Sequence, residues 1–507
     1  MVVGVSLRQL MPALIAVDAG TTGVRAFAVD SEGRPCGFSY RELTQHFPRP
    51  GWVEHDAAEI WSAVQTTLGE LVGRLAGEGV PVAAVGITNQ RETVVAWDRR
   101  TGHPLQRALV WQDRRTAARC DALKEVGQEP EIRAATGLVL DPYFSATKME
   151  WLLNDGGIDP ATPGLALGTV DAWVAWNLTG GPDGGAFVTD PSNASRTLLY
   201  DIRDLAWSEK LCDLFGVPLA ALPEVRPSSG RIARCDPARA GGLDAPLAGI
   251  AGDQQAALFG HACFTPGMTK NTYGTGSFVL MNVGPDVPPP AEGLLTTVAW
   301  TLADGTTAYA LEGAVFVTGA AIQWLRDGLG IIAEATETGP LAASVPDTEG
   351  VFLVPAFTGL GSPYWDPHAR GALLGLTKTA GRAHLARAAV EAMAHQTRDV
   401  VDSMQAVGGT TISELRADGG AAVMDLLCQY QADLLGVPVR RPQLAETTAL
   451  GATYLAGLAE GVWSSPDELA RYWLLEAEFT PKMGPKDADR RQDAWRRAVE
   501  RARGFGS

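Results

Sequence analysis

The 507-residue sequence is short of cysteine and histidine, and it holds no long apolar run. Its six cysteines (Cys36, Cys120, Cys212, Cys235, Cys263 and Cys428) include no C-x-x-C pair, so they read as reduced thiols of a cytoplasmic protein. The seven histidines show no metal-ligand spacing. No uninterrupted apolar stretch approaches the roughly 20 residues that span a bilayer, so no membrane insertion is expected. Positive charge is in deficit too, with 42 Lys and Arg against 58 Asp and Glu. The net charge of −16 argues against nucleic acid or an anionic membrane as partner, while leaving room for a local phosphate pocket. Also missing are a G-x-S-x-G elbow, a Walker loop and a full dinucleotide fingerprint. The opening "MVVGVSLRQLMPALIAVDAG" lacks an export signal's basic start and cleavage site, so residues 1–10 read either as an extension or as a start-site artefact before Met11.

What remains is the balance of a soluble globular protein, 46% apolar and 20% charged. The length exceeds one ordinary core, so two or more domains are expected. "LIAVDAGTTGVRAFAVD" reads as two strands about a Gly-Thr-Thr-Gly turn, with "CGFSYRELTQHF" as a third. "DAAEIWSAVQTTLGELVGRLAGEG" follows as a helix. Asp56 and Glu59 have capping-box spacing there, and Ile60, Val64, Leu68, Leu71, Val72 and Leu75 share one face. "VAAVGITNQ" is a buried strand with polar residues at its carboxyl end, the end where open α/β sheets bind ligands. Near residue 270 the pattern returns: "TKNTYGTGSFVLMNVG" is a Gly-Thr-Gly hairpin, followed by a second hairpin and the helical segment "VTGAAIQWLRDGLGII". Two domains of related architecture, 11–260 and 261–507, are therefore expected.

Three segments could carry chemistry. In the first turn, backbone N–H groups with Thr21, Thr22 and Arg25 suit phosphate oxygens, and Asp18 suits magnesium. The alternative is a plain surface hairpin. Arg91 and Glu92, just past a strand, are either a solvated strand end or a donor–acceptor pair for a polyol hydroxyl. Asp253, between "GIAG" and an apolar helical run, is either an N-cap or a general base for a hydroxyl attacking phosphorus. Trp111, Tyr143 and Phe278 are core residues or ligand walls.

Taken together, "DAGTTGVRA", "PGWVEHD", "GITNQRET", "VWQDRRTA", "TGLVLDPYFSATK", "NASRTLLYD", "GIAGDQQAALFG", "KNTYGTGSF" and "VPAFTGLGSPYWDPHARGALLGLT" resemble the FGGY family of carbohydrate kinases. The similarity runs from about Leu14 to about residue 500, and most segments match the glycerol-phosphorylating members. The resemblance implies an α/β fold of two ribonuclease H-like domains, of the actin, hexokinase and Hsp70 type, with the active site in the cleft between them. It implies ATP and Mg2+ as cofactors, glycerol as acceptor, cytoplasmic location and a homodimer or homotetramer. It places glycerol against Arg91, Glu92, Trp111, Tyr143, Asp253, Gln254 and Phe278, with Asp253 as the base. It places the ATP phosphates at Thr21, Thr22, Gly23, Arg25 and Thr275, and the nucleoside at Gly319, Gln323, Gly420 and Met424. Asp18 would be nearest the metal.

The sequence departs from the family's pattern in places. Ala19 stands where glutamine is usual; Met424 stands where asparagine is usual, and that second departure predicts looser nucleotide discrimination. "RCDPARAGGLDAPLAG" lacks the Gly-Thr-Arg pattern that binds fructose 1,6-bisphosphate in some relatives, and Leu243 and Asp244 cannot replace its arginine. "RPSSGRIARCD" has no histidine where some relatives are phosphorylated. Two rivals remain: a kinase for a longer polyol or ketose, and a silent ATP-binding protein on the same fold.

Overall fold

The computed structural model describes residues 11–506; the leading ten, read above as an extension or a start-site artefact, lie outside the described residues. Two compact units form. The first comprises residues 11–262 with Thr297–Ala308 and Glu446–Trp473, and the second holds the remaining described residues.

In the first unit, β1 (Ala13–Ala19), β2 (Gly23–Val29) and β3 (Pro35–Glu42) form the expected meander, and α1 (Ala57–Gly77) follows. Asp56 caps α1 by accepting from the N–H groups of Ala58 and Glu59 at 2.8 and 3.4 Å. The second half of the expected capping box does not form. The Glu59 carboxylate turns instead to the N–H and hydroxyl of Thr44, at 3.0 and 2.9 Å. Ile60, Val64, Leu68, Leu71 and Leu75 are fully buried, so the predicted face is the packed one, and Val72 lies partly buried at its margin. Each such side chain contributes about 1.5–3 kcal/mol.

Next come β4 (Val82–Asn89), β5 (Ser229–Arg234), β6 (Pro246–Gly252) and α2 (Asp253–Gly260). The sheet order is β5-β6-β4-β1-β2-β3, with β1, β4 and β6 mutually parallel and β2 antiparallel to β1. The Thr447–Ala459 helix closes against this sheet. A Cβ on Gly86 would stand 2.2 Å from the Ala452 carbonyl oxygen, so only glycine permits that approach.

In the second unit, β7 (Met268–Tyr273) pairs antiparallel with β8 (Ser277–Gly284), and β8 with β9 (Thr307–Val315). The helix α3 (Gly319–Asp327) is shorter than "VTGAAIQWLRDGLGII" predicts. It stops at Gly328, and Gly330 adopts φ +63°, a conformation incompatible with continuing the helix. After α4 (Arg382–Gly408) come β10 (Glu414–Gly419), α5 (Asp425–Leu435), β11 (Val439–Pro442) and β12 (Leu475–Phe479). Six strands of this unit's seven-stranded sheet run in the order β9-β8-β7-β10-β11-β12, which repeats the first sheet's plan of an antiparallel meander joined to parallel strands. The echo read from the sequence is thus a repeated sheet topology. Among the described residues, no helix is long and apolar enough to cross a membrane.

Candidate active site

The carboxyl ends of three parallel strands lie in register, Ala19 opposite Asn89 and Asn89 opposite Gly252. The turn 20–22, the segment 90–92 and Asp253 therefore emerge side by side at one edge of the sheet. That edge is where open α/β sheets bind ligands.

Arg91 is the hub of this edge, and it is 2% exposed. Its Nε lies 3.1 Å from Oδ1 of Asp253. Its Nη1 donates to Oε1 of Gln255 at 3.1 Å, and its Nη2 to the Tyr143 hydroxyl at 3.4 Å. Glu92, also buried, has Oε1 3.7 Å from Arg91 Nε and accepts from Arg196 Nε at 2.7 Å. Two buried cations and two carboxylates thus compensate one another; an unpaired member would be costly. Glu92 sits at φ +61°, a left-handed conformation costing about 1–3 kcal/mol in a residue with a Cβ. The Ser145 hydroxyl holds it there by donating to its carbonyl at 3.1 Å.

Asp253 is the first residue of α2 and not its cap, a place taken by Gly252. Its Oδ1 accepts from the Gln254 N–H at 2.7 Å, and its side chain is 31% exposed. Gln254 is half-buried beside it. Trp111 and Tyr143 meet edge to face with ring centroids 5.6 Å apart. The Trp111 indole N–H donates to Oγ1 of Thr21 at 2.9 Å, so the first hairpin orients this aromatic wall. The Arg196 guanidinium covers the rings of Tyr143 and Phe144, 5.7 and 5.2 Å from their centroids.

The hairpin is closed by the Gly20 N–H donating to the Gly23 carbonyl at 3.0 Å. A Cβ on Gly23 would stand 2.5 Å from the Arg41 carbonyl oxygen, which explains the glycine. Thr22 is exposed. Asp18 faces Arg25 across the strands. Burial pushes the Asp18 carboxyl up to about 7; Arg25 opposes that rise and Asp253 adds to it. Arg25 is ion-paired with Glu446, a partner that sequence reasoning did not foresee. Among the described residues no group of three or more His, Cys, Asp or Glu could hold a metal by itself.

The second unit carries a cavity of about 630 Å³ lined by Thr275, Gly319, Gln323, Gly420 and Met424, which brings five predicted nucleotide residues together. The N–H groups of Thr318 and Ala320 donate to the Thr275 carbonyl at 2.9 and 3.0 Å, and that of Gly319 to the Gly274 carbonyl at 3.0 Å. These bonds dock α3 on the Gly-Thr-Gly turn. A Cβ on Gly319 would stand 2.6 Å from the Gly274 oxygen. A Cβ on Gly420 would meet nothing, so that wall is open. Met424 precedes α5 and gives it no side-chain cap. Phe278 is half-buried on β8, next to the turn.

Sequence reasoning missed Gln255, Arg196, Ser145 and Lys148. Arg196 and Lys148 lie inside the quoted "NASRTLLYD" and "TGLVLDPYFSATK", but no local pattern says that their charges point inward. In the loop read as lacking a bisphosphate pattern, Leu243 is buried and Asp244 pairs with Arg234 at 2.5 Å.

The chain belongs to the FGGY family of carbohydrate kinases: the family's N-terminal domain matches residues 13–260 and its C-terminal domain residues 269–460. Its architecture is the two-domain, actin- and hexokinase-like fold of that family. Among individual proteins, it is 52% identical to a glycerol kinase of Carboxydothermus hydrogenoformans over 97% of this chain and 98% of that one. It is 54% identical to a glycerol kinase of Aromatoleum aromaticum, over 98% and 99%. The crystal structure of Plasmodium falciparum glycerol kinase with ADP superposes with a TM-score of 0.92 at 33% identity, covering 97% of this chain and 98% of that one.

Proposed function

We propose that this chain transfers the γ-phosphoryl group of ATP to a terminal hydroxyl of glycerol, giving sn-glycerol 3-phosphate. The observation that carries this reading is the convergence of Arg91, Glu92, Tyr143 and Asp253 at one sheet edge. A polyol hydroxyl both donates and accepts, and a guanidinium, a phenol and two carboxylates satisfy both demands. Full-length similarity to glycerol kinases supports the same substrate. Trp111 and Tyr143, packed edge to face, supply aromatic surface for the carbon face.

Asp253 accepts the proton of the attacking hydroxyl, and its partial exposure leaves the carboxylate reachable. Arg91 fixes that carboxylate, and Glu92 orients a neighbouring hydroxyl. The loose transition state of phosphoryl transfer needs positioning and charge neutralisation more than covalent help. Thr21, Thr22, Gly23, Arg25 and Thr275 bind the phosphates, and Gly319, Gln323, Gly420 and Met424 hold the nucleoside. Magnesium fits the donor set, because it binds through one or two carboxylates plus substrate phosphates rather than an all-protein cage. Asp18, through water, would hold it, and when bound it neutralises charge on the β- and γ-phosphates. Residues 11–260 thus serve the acceptor and the first phosphate hairpin, and residues 261–507 the nucleotide. The protein works in the cytoplasm as a homodimer or homotetramer.

The direct test is product identity. With magnesium-ATP and glycerol, the product should be fully oxidised by a stereospecific sn-glycerol 3-phosphate dehydrogenase. Accumulation of a phosphate ester that this enzyme leaves untouched would contradict the reading.

A further inference from the structure

Lys148 lies one turn into the Ser145–Asn154 helix and is fully buried. Side chains on a helix tilt toward its N-terminus, so this stem reaches back to the turn before the helix. There Nζ donates to the carbonyls of Pro142, Tyr143 and Phe144 at 2.8, 2.7 and 2.7 Å. An ammonium has three donors, and all three are used. Three consecutive carbonyls thus converge on one ammonium, which ties the 142–144 turn to the start of its helix.

The middle carbonyl belongs to Tyr143, whose hydroxyl accepts from Arg91 and whose ring packs against Trp111. The same first helical turn supplies Ser145, which holds the strained backbone of Glu92. One helix start therefore fixes two walls of the site. We propose that Lys148 is a positioning residue of the acceptor site, gathering three carbonyls so that the 142–144 turn presents Tyr143 to Arg91 and to substrate. The inference rests on the reading of Arg91, Glu92, Tyr143 and Asp253 as the polyol site.

The arrangement costs desolvation. Burial lowers the Lys148 ammonium to about 8, against the raising influence of Glu92, Asp113, Asp141 and Cys120. Its hydrogen-bond partners are carbonyl dipoles, which orient a backbone; a mere charge balance would call for a carboxylate. A purely structural staple would affect melting and leave substrate affinity alone, whereas a positioning residue moves glycerol affinity through Tyr143.

The test uses Lys148→Met and Lys148→Gln, each alone and combined with Tyr143→Ala. The readouts are calorimetric glycerol affinity, KM for glycerol and for magnesium-ATP, and melting temperature. Lys148→Met should raise glycerol Kd and KM about tenfold, leaving the KM for magnesium-ATP within about twofold. Lys148→Gln, which keeps neutral donors, should fall between. In the Tyr143→Ala background the further Lys148 replacement should change glycerol KM by less than about twofold, since the two act as one unit. Folded Lys148→Met with wild-type glycerol KM overturns the proposal, as does an increase that persists undiminished without Tyr143. If Lys148→Met does not fold, Lys148→Gln decides by the same criteria. Wild-type glycerol KM in Tyr143→Ala alone would instead overturn the polyol-site reading itself.

Discussion

Nε of Arg91 lies 3.1 Å from Oδ1 of Asp253, and the Gln254 N–H donates to that same oxygen at 2.7 Å. The carboxylate is therefore held by one oxygen while the group keeps access to solvent, the arrangement that a base awaiting a hydroxyl requires. Asp253→Asn preserves shape and removes basicity. It should lower kcat by about 10² to 10⁴-fold while the Kd for magnesium-ATP stays within about twofold. Turnover near wild type would remove Asp253 from the base role.

Arg196 and Glu92 form a fully buried pair at 2.7 Å. Arg196→Met removes the nearer of the two cations beside the buried Glu92 carboxylate, a loss of about 3–5 kcal/mol read as a lower urea midpoint. Adding Glu92→Gln should recover part of that stability and none of the glycerol affinity. Full recovery of affinity in the double variant would show that Glu92 does not touch substrate.

Asp18 sets a pH dependence whose sign follows from its raised carboxyl. Its pKa rises from 3.8 in the ordinary case to about 7 in the fold. Between those values the folded chain holds a proton that the unfolded chain has lost. The associated stability is complete below about pH 4 and is lost as pH rises through 7. Asp18→Asn should therefore melt higher than wild type at pH 8 without nucleotide, with the gap clearly smaller at pH 5 and closing only below about pH 4, while turnover collapses. Asp171, also raised to about 7 by burial, contributes the same slope to both proteins and cancels in the difference. An equal gap at both pH values would contradict the assignment.

Much of this is legible in the sequence alone. The α1 face, the strand ends at Asn89 and Gly252 and the two Gly-Thr turns follow from periodicity and turn chemistry, which are local. Residue chemistry singled out Arg91, Glu92, Tyr143 and Asp253, each with a plainer alternative, and the resemblance then assigned them to glycerol. What stayed hidden depends on long-range approach. Arg196 reaches Glu92 across 104 positions, and Glu446 reaches Arg25 across 421. Glu59 has capping-box spacing yet turns to Thr44, because a tertiary partner outcompeted the local one. Helix α3 was overextended because apolar Leu329, Ile331 and Ile332 continued the pattern past glycines that end it.

Met424 leaves α5 without a side-chain cap in the nucleotide cavity. Met424→Asn should add a cap contributing about 1 kcal/mol and lower the KM for ATP, sharpening the preference over GTP. Unchanged melting, KM and ATP preference would mean that this position touches neither helix end nor nucleotide.

The central claim, that the acceptor is glycerol, is tested most directly by ADP release from magnesium-ATP against glycerol, dihydroxyacetone, xylulose and gluconate. The compact cluster around Arg91 predicts the highest kcat/KM for glycerol, with xylulose and gluconate near background. Faster turnover with xylulose or gluconate, or no turnover with any of the four, would contradict it.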